Sequence, residues 1–430
     1  MLRWAVAAVQ ADDGSAGNGA LLFGMARHIV VIGGGPAGVW AAIEAKRRDG
    51  AASVTLVSEE TSEPYEKPPL SKAVLLGKAT PYDAPIAGKS GVAAHGVVLK
   101  SAVRCMAIDR ARREVITQAG ALPYDALVIA TGSLMRELPP LPIGMPRVHY
   151  LRTDTDAQAL KADLAKCREL VVIGAGVIGL EVAASARELG VSVTVIEVAA
   201  RILARVCDEA ASAFILAEHQ ARGVDVRLAT SVKSVAPQPD GRIALATSNG
   251  ASLLADVVVV GTGVKPNDAL AATAGLKVDD GIVVDEQCRT SDPAIFAAGD
   301  VTRFPGPHGL VRLENWRHGQ DQGAIAGRNA AGGSESYRSV PSFWSEQYDL
   351  YIQGVGWPVA NARSITRPLP GKALLSLELD GANLAHAHGV NVQKDIAAIR
   401  RLIERRIAVD AAQLADPGVP FAAMLKAKVP

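Results

Sequence analysis

Two glycine constellations carry the strongest chemical signal in this chain. Gly33-x-Gly35-x-x-Gly38 follows the apolar run His28–Ile32 and opens an alanine-rich stretch. Glycines at this spacing let a strand turn sharply into a helix. They also let backbone N–H groups at the helix start reach a pyrophosphate. Pro36 and Ala37 complete the turn, and Glu59 closes the next strand about 20 residues on, where a carboxylate can hold a ribose hydroxyl pair. Gly174-x-Gly176-x-x-Gly179, enclosing Val177 and Ile178, repeats the device about 140 residues later. Glu197 closes its following strand. An acid there accepts from an adenosine 2′-hydroxyl and repels a 2′-phosphate, which favours NADH over NADPH. Arg201 and Arg205 lie close by and could serve a 2′-phosphate instead, or an adenine. Two dinucleotide sites imply two dinucleotides. A nicotinamide donor facing a flavin is the most economical pair, because a flavin takes a hydride and returns single electrons.

Other residue types narrow the chemistry. The four cysteines, Cys105, Cys167, Cys207 and Cys288, are scattered and form no C-x-x-C. Neither they nor the eight histidines show metal-ligand spacing, so no metal site is expected. Isolated cysteines suit a reducing, cytoplasmic setting. The formal charge of +1 over 430 residues carries no clustered basic excess, which argues against a nucleic-acid partner. No apolar run is long enough to span a membrane.

These residues need particular elements to position them. Short β-branched runs bounded by glycine read as strands of a covered parallel sheet. Ala126–Ala130 ends at Thr131-Gly132, Val257–Val260 at Gly261, and Ala294–Ala298 at Gly299-Asp300. A strand that stops at glycine admits a ligand close to its backbone. The segment Leu138–Pro142 reads as a crossover. Beyond about Ser339, short strands (348–355, 373–379, 385–390) precede a helix over 394–406. The fold class is α/β: two Rossmann-like units, one for FAD and one for NAD, plus a smaller α+β C-terminal unit. Residues 25–140 with 262–335 are expected to form the FAD unit, 141–261 the NAD unit and 336–430 the last. Residues 1–24 read as a loose extension. Arg3 and the run Trp4–Val9 faintly resemble a signal peptide, but the run is short and Asp12 and Asp13 follow it.

Several segments, in order, resemble the ferredoxin reductases of bacterial Rieske-oxygenase and cytochrome P450 systems. They are Pro64-Tyr65-Glu66-Lys67-Pro68-Pro69-Leu70-Ser71-Lys72, Tyr150-Leu151-Arg152-Thr153, Gly179-Leu180-Glu181, Lys265-Pro266-Asn267, Arg289-Thr290-Ser291-Asp292-Pro293, Ala298-Gly299-Asp300-Val301 and Phe343-Trp344-Ser345-Glu346-Gln347-Tyr348. The resemblance runs from about His28 to the C-terminus. The wider superfamily includes monodehydroascorbate reductases and apoptosis-inducing-factor-like proteins.

The resemblance implies roles. Ala37, Glu59, Lys72, Val103, Arg152, Asp300 and Trp316 match FAD-binding positions. Lys72 would stand beside the reactive edge of the isoalloxazine, where a cation favours the reduced flavin. Glu181 would pair with it near the nicotinamide, Trp316 would stack near the flavin, and Asp300 would bond the ribityl or pyrophosphate region from the start of a helix. Lys67 replaces a family arginine and so loses bidentate geometry. Arg317-His318-Gly319 and Gly354-Val355-Gly356 also depart from the pattern, the last pair of glycines reading as positions that pack nothing. Thiol relays are absent from their usual places after the first glycine turn. The implied activity is NADH oxidation through FAD, with single electrons passed to a [2Fe–2S] ferredoxin, or a rubredoxin, that feeds an oxygenase. The enzyme would act as a monomer or homodimer. Arg303, Arg312, Arg317 and Arg328 are candidates for a charged docking face. An NADH-sensing flavoprotein, or a reductase of monodehydroascorbate or quinones, is the alternative.

Overall fold

The computed structural model describes residues 26–338 and 340–425. The expected loose extension, Met25 as the start of folding, and the expected break at Ser339 fall on residues outside that range. Near-continuous runs of Ile, Val and Leu form two parallel sheets buried on both faces. The first has the order Ile295–Ala297, Ala126–Ile129, His28–Ile32, Ser53–Val57, Val97–Lys100. The second has the order Val148–His149, Val257–Val260, Glu169–Ile173, Ser192–Ile196, Val224–Arg227. Their central registers match: Ile32 lies opposite Val57, and Ile173 opposite Ile196. Each sheet also carries a three-stranded antiparallel meander just before the strand that pairs on the other side of its first glycine-turn strand, Cys105–Pro123 before Ala126–Ile129 in one and Val232–Ala255 before Val257–Val260 in the other.

The glycine turns behave as their spacing requires. Gly33 and Gly174 have φ of +117° and +101°, a region that side chains rarely tolerate. Helices Pro36–Arg48 and Val177–Glu188 follow directly. The crossover segment anchors on Leu141, which is fully buried, and an antiparallel pair, Ser133–Met135 with Val264–Pro266, links the two halves.

Asp300 does not start a helix. It sits in a turn, with Gly299 at φ +83°, between strand Ile295–Ala297 and strand Thr302–Gly306, which forms a hairpin with Gly309–Val311. The helix comes later, as Trp316–Ala330, capped by Asn315. It packs on Pro36–Arg48 through small residues one turn apart. A Cβ at Gly323 would lie 2.2 Å from the Ala37 carbonyl oxygen, and one at Gly327 2.0 Å from that of Ala41. This near contact of backbones brings Trp316 to the first glycine turn.

The C-terminal sheet is antiparallel, in the order Ser342–Gln347, Leu350–Gly356, Asn383–Val390, Leu374–Asp380, Arg363–Arg367. Its two outer strands were not expected. One face, with Leu377 and Ala387, packs on helix Gln393–Glu404. Leu350, Ile352 and Val390 instead join the core of the second parallel sheet. Gly354 is not slack, contrary to expectation. A Cβ there would meet the Phe343 ring at 2.2 Å, so the glycine makes room for that ring. Gly356, at φ +99°, would drive a Cβ to 2.1 Å from the Ala385 oxygen.

The helix packing yields a stability test. Gly327→Ala should destabilise the protein by about 1–3 kcal/mol, as overpacking of close-packed interiors does. Gly319→Ala, whose Cβ meets nothing nearer than 3.7 Å, should be neutral or stabilising through helix propensity. Chemical denaturation of both variants separates the two effects. Equal behaviour would contradict the close helix contact.

Candidate active site

A single cavity of about 1330 Å³ runs between the two parallel sheets and the C-terminal sheet. Gly35, Pro36 and Ala37 line it at one end, and Gly174, Gly176, Val177 and Ile178 at another. Gly35 and Gly176 are the N-caps of their helices, and neither offers a side chain to the orphan N–H groups. Neither helix has an acid in its first turn. A Cβ on either glycine would meet nothing within 4 Å. Two uncapped helix termini thus open onto one space, each free to take an anion. The residues fit two dinucleotide pyrophosphates.

Lys72 lines the same cavity, and its Nζ is 3.1 Å from Glu181 Oε1. Lys72 follows the short 3₁₀ turn Pro68–Ser71, and Glu181 lies in the second turn of its helix. Glu181 is 2% exposed. Burying a carboxylate is costly unless donors replace its water. Ser71 Oγ donates to Oε2, and Ser345 Oγ donates to Oε1 at 2.7 Å. Three separate chain segments therefore meet at one carboxylate. Ser71 and Ser345 lay inside quoted motifs, but no local pattern gave either a role.

The other flavin-side residues gather around this pair. Ala130, Gly132, Arg152, Gly299, Asp300 and Trp316 line the cavity with Lys67. Ser133 Oγ donates to Asp300 at 3.0 Å, and Arg152 stands 3.7 Å from the same carboxylate. Burial pushes the Asp300 carboxyl upward, with the Arg152 charge and the Ser133 bond acting against it. Lys67 Nζ bonds Glu60 Oε1 at 2.7 Å, and burial pushes its ammonium down. Trp316 donates its indole N–H to Glu66 and stands edge-on to Trp344, with centroids 5.6 Å apart. Burial raises the Glu66 carboxyl, opposed by that N–H. Glu66 and Trp344 had been quoted without roles.

Gly33, Gly38, Thr131 and Gly179 lie off the cavity lining. Gly38 and Gly179 are packing positions, since a Cβ would lie 1.8 Å and 2.1 Å from the carbonyl oxygen of the first glycine in each turn. Thr131 Oγ1 donates to the Asn267 carbonyl at 2.7 Å. Glu59 and Val103 are also off the lining. By register, Ser58 rather than Glu59 is the topological counterpart of Glu197, and exposed Glu59 is paired with Arg104. Val103 N–H donates to the Ser58 carbonyl at 2.9 Å.

On the nicotinamide side, Glu197 and Gly261 line the cavity. Glu197 Oε2 accepts from Ala175 N–H at 2.7 Å and Oε1 from Ala199 N–H at 2.8 Å, so the carboxylate is fixed at the strand end. Arg201 is taken up by its own loop, donating to the carbonyls of Cys207 and Ala204. Arg205 pairs with Glu314 at 3.1 Å. Both guanidiniums thus have partners, which weakens them as receptors for a 2′-phosphate. All four cysteines are free. Burial raises every thiol: Cys105 to about 11, Cys167 and Cys207 to about 12, and Cys288 further still. A thiol so placed has little thiolate near neutral pH. The proposed docking cations are not free either. Arg303, Arg312, Arg317 and Arg328 pair with Asp279, Asp280 and Glu314, Asp321, and Glu44 and Glu335 respectively. No group of residues suited to a metal ion, and no helix long and apolar enough to cross a membrane, occurs among the described residues.

Two Rossmann-type sites sharing one cavity around a buried Lys–Glu pair define a two-dinucleotide oxidoreductase. Comparisons with known proteins narrow this. Residues 27–323 match the model of the pyridine nucleotide-disulphide oxidoreductases, and residues 342–425 match the reductase C-terminal domain. Rhodocoxin reductase of Rhodococcus erythropolis is 40% identical over 90% of this chain and 92% of its own length. The ferredoxin–NAD(+) reductase component of the anthranilate 1,2-dioxygenase system of Burkholderia cepacia is also 40% identical, over 91% of this chain and 97% of its own. The crystal structure of the covalent putidaredoxin reductase–putidaredoxin complex superposes with a TM-score of 0.87 at 35% identity, covering 93% of this chain and 98% of that one. The chain belongs to the pyridine nucleotide-disulphide oxidoreductase family, and its relatives there are the flavoprotein ferredoxin reductases of oxygenase systems.

The fixed Glu197 carboxylate sets up a cofactor-preference test. Wild type should favour NADH over NADPH. Glu197→Ser should shift the ratio of kcat/KM values toward NADPH by about tenfold, corresponding to about 1.4 kcal/mol. Steady-state kinetics with both cofactors decides it. A wild type that already prefers NADPH would overturn this role for Glu197.

Proposed function

We propose that this enzyme oxidises NADH and delivers single electrons to a [2Fe–2S] ferredoxin that serves an oxygenase. The observation that carries the proposal is the single cavity joining two uncapped helix termini, with the Lys72–Glu181 pair on its lining. The names of its relatives supply the acceptor class. FAD, held at the first glycine turn, would supply a two-electron hydride acceptor that can also release single electrons.

The chain's own residues bind, orient and shield. The helix after Gly35 receives the FAD pyrophosphate and the helix after Gly176 that of NADH. In this reading Ala130, Gly132, Arg152, Gly299 and Asp300 hold the flavin side, with Lys67 beside them and Gly33, Gly38, Thr131, Glu59 and Val103 supporting its turn and adenosine end. Glu197 takes the NADH adenosine ribose, and Gly261 lets the nicotinamide half pass close to backbone. Lys72 supplies a fixed positive charge where donor and acceptor meet. Glu181 holds that ammonium in place. Fixed charges in a water-poor site need no reorganisation during transfer, which is where such groups lower a barrier most. Trp316 and Trp344 wall the site and exclude water. No general acid or base is required for hydride movement, so alignment is the protein's main contribution. The two sheets and the C-terminal unit divide as residues 25–140 with 262–335, 141–261 and 336–430. Four free thiols, all raised by burial, suit a reducing cytoplasm.

The acceptor is tested directly. Cytochrome c reduction by NADH should be slow with the reductase alone and rise at least about tenfold with a cognate [2Fe–2S] ferredoxin. Added salt should slow the transfer if charge steers docking. A panel of bacterial [2Fe–2S] ferredoxins, with monodehydroascorbate and a quinone as competing acceptors, is the measurement. Failure of every ferredoxin beside rapid turnover of a small oxidant would overturn the proposal.

A further inference from the structure

The Glu181 carboxylate is the end point of a longer polar chain. Ser345 Oγ donates to Glu181 Oε1 at 2.7 Å, and Gln347 Nε2 donates to Ser345 Oγ at 3.0 Å. Gln347 Oε1 faces His219 Nε2 at 2.8 Å, and Tyr348 OH lies 3.3 Å from His219 Nδ1. Ser345, Gln347 and His219 are 1%, 0% and 0% exposed. The direction of every link follows from its end. A carboxylate only accepts, so the single hydroxyl proton of Ser345 points to Glu181. Ser345 can then only accept from the amide, which turns the Gln347 carbonyl toward His219. That carbonyl requires a proton on His219 Nε2, which leaves Nδ1 to accept from Tyr348. This order requires a neutral ring; burial pushes the His219 imidazole down, with the Gln347 bond opposing it and the Arg222 charge adding to it. Four donors in sequence point one way, and such chains polarise one another.

The chain also crosses between units. His219 belongs to helix Glu209–Ala221 beside the second parallel sheet, whereas Ser345 and Gln347 alternate along strand Ser342–Gln347 of the C-terminal sheet. The Arg222 guanidinium lies 4.4 Å from the Tyr348 ring centroid and fixes the outer end. An apolar contact would have joined the two elements at lower desolvation cost. A satisfied polar chain ending on a buried charge does something more: it sets where that charge lies.

We propose that His219 and Gln347 are positioning residues that orient Glu181, and through it Lys72, by way of Ser345. The inference rests on the Lys72–Glu181 pair standing where the two cofactors react. Neither His219 nor Gln347 lines the cavity.

The test uses the FAD-loaded enzyme and anaerobic rapid mixing with NADH. His219→Phe should lower the limiting rate of flavin reduction about tenfold, within the range for residues coupled through one hydrogen-bond network. The NADH concentration for half-maximal rate should change less than about threefold. His219→Gln, which restores an N–H toward Gln347, should recover most of the rate. In a Glu181→Gln background, His219→Phe should change the rate less than about twofold, because its route of action is already cut. A role limited to packing would act equally in both backgrounds, and that outcome overturns the proposal, as does an unaffected His219→Phe. If His219→Phe does not load FAD, Ser345→Ala breaks the same chain with little change in volume and should show the same loss. Nitrogen-15-labelled histidine gives a readout independent of turnover. His219 should resonate as the neutral Nε2–H tautomer and shift in Ser345→Ala; an imidazolium or an Nδ1–H tautomer overturns the chain. A wild type whose flavin NADH bleaches normally beside an unaffected variant rejects only this inference. A wild type that NADH does not bleach rejects the hydride-transfer reading beneath it, and this inference with it.

Discussion

A carboxylate buried where three segments of the chain meet constrains everything around it. Glu181 comes from a helix of the second parallel sheet, Ser71 and Lys72 from the chain between strands Ser53–Val57 and Val97–Lys100 of the first, and Ser345 from the C-terminal sheet. Removing one partner of a buried ion pair generally costs about 3–5 kcal/mol, because the other charge is left without compensation. The same penalty applies to misplacement. The three units therefore cannot settle independently, and the geometry between the two glycine turns is set by satisfying one charge. Stability and the proposed function coincide at this point: the pair that joins the three segments is also the one proposed to supply a fixed charge between the cofactors.

Duplication supplies the rest of the architecture. Both parallel sheets set the same strand pairing about a glycine turn, and both carry an antiparallel meander at the same place. They differ where their partners differ. The first sheet takes its last strand from far along the chain, Ile295–Ala297, while the second takes Val148–His149 from just before its glycine turn. The first also gains helix Trp316–Ala330, laid against Pro36–Arg48 by Gly323 and Gly327. That contact carries Trp316 into the cavity. The two units thus share a plan but differ in what they add: helix Trp316–Ala330 in the first, and Glu181 on the helix after its glycine turn in the second.

The parts legible in the sequence were those governed by local chemistry. Glycine spacing, β-branched runs and strand-end acids located both turns, their helices and the central strands. Lys72 and Glu181 rested on resemblance, and the structure brings them within 3.1 Å. What was missed depends on distant chain. The meanders are largely exposed and lack the unbroken apolar runs of the central strands. Strand Ser342–Gln347 was obscured because Ser345 and Gln347, though buried, are polar and join a hydrogen-bonded chain, which breaks the apolar alternation that Phe343 begins. Asp300 was misread as starting a helix because Ala298-Gly299-Asp300 resembles the strand–turn–helix pattern, whereas a hairpin intervenes. Glu59 stands at the expected distance from its glycine turn, while the sheet register makes Ser58 the positional equivalent of Glu197. The docking arginines were chosen by charge alone, and carboxylates more than 30 positions away in sequence pair with two of the four, Arg312 and Arg328.

The central claim is that two dinucleotides share one cavity and bring their reactive ends to the Lys72–Glu181 pair. The most direct measurement is a crystal structure of the protein with FAD and oxidised NAD both bound. The account predicts the isoalloxazine and nicotinamide rings in contact, each with an atom within about 4 Å of Lys72 or Glu181, and the pyrophosphates on the helices that follow Gly35 and Gly176. A nicotinamide ring bound away from that pair, or a dinucleotide seated elsewhere on the surface, would contradict it.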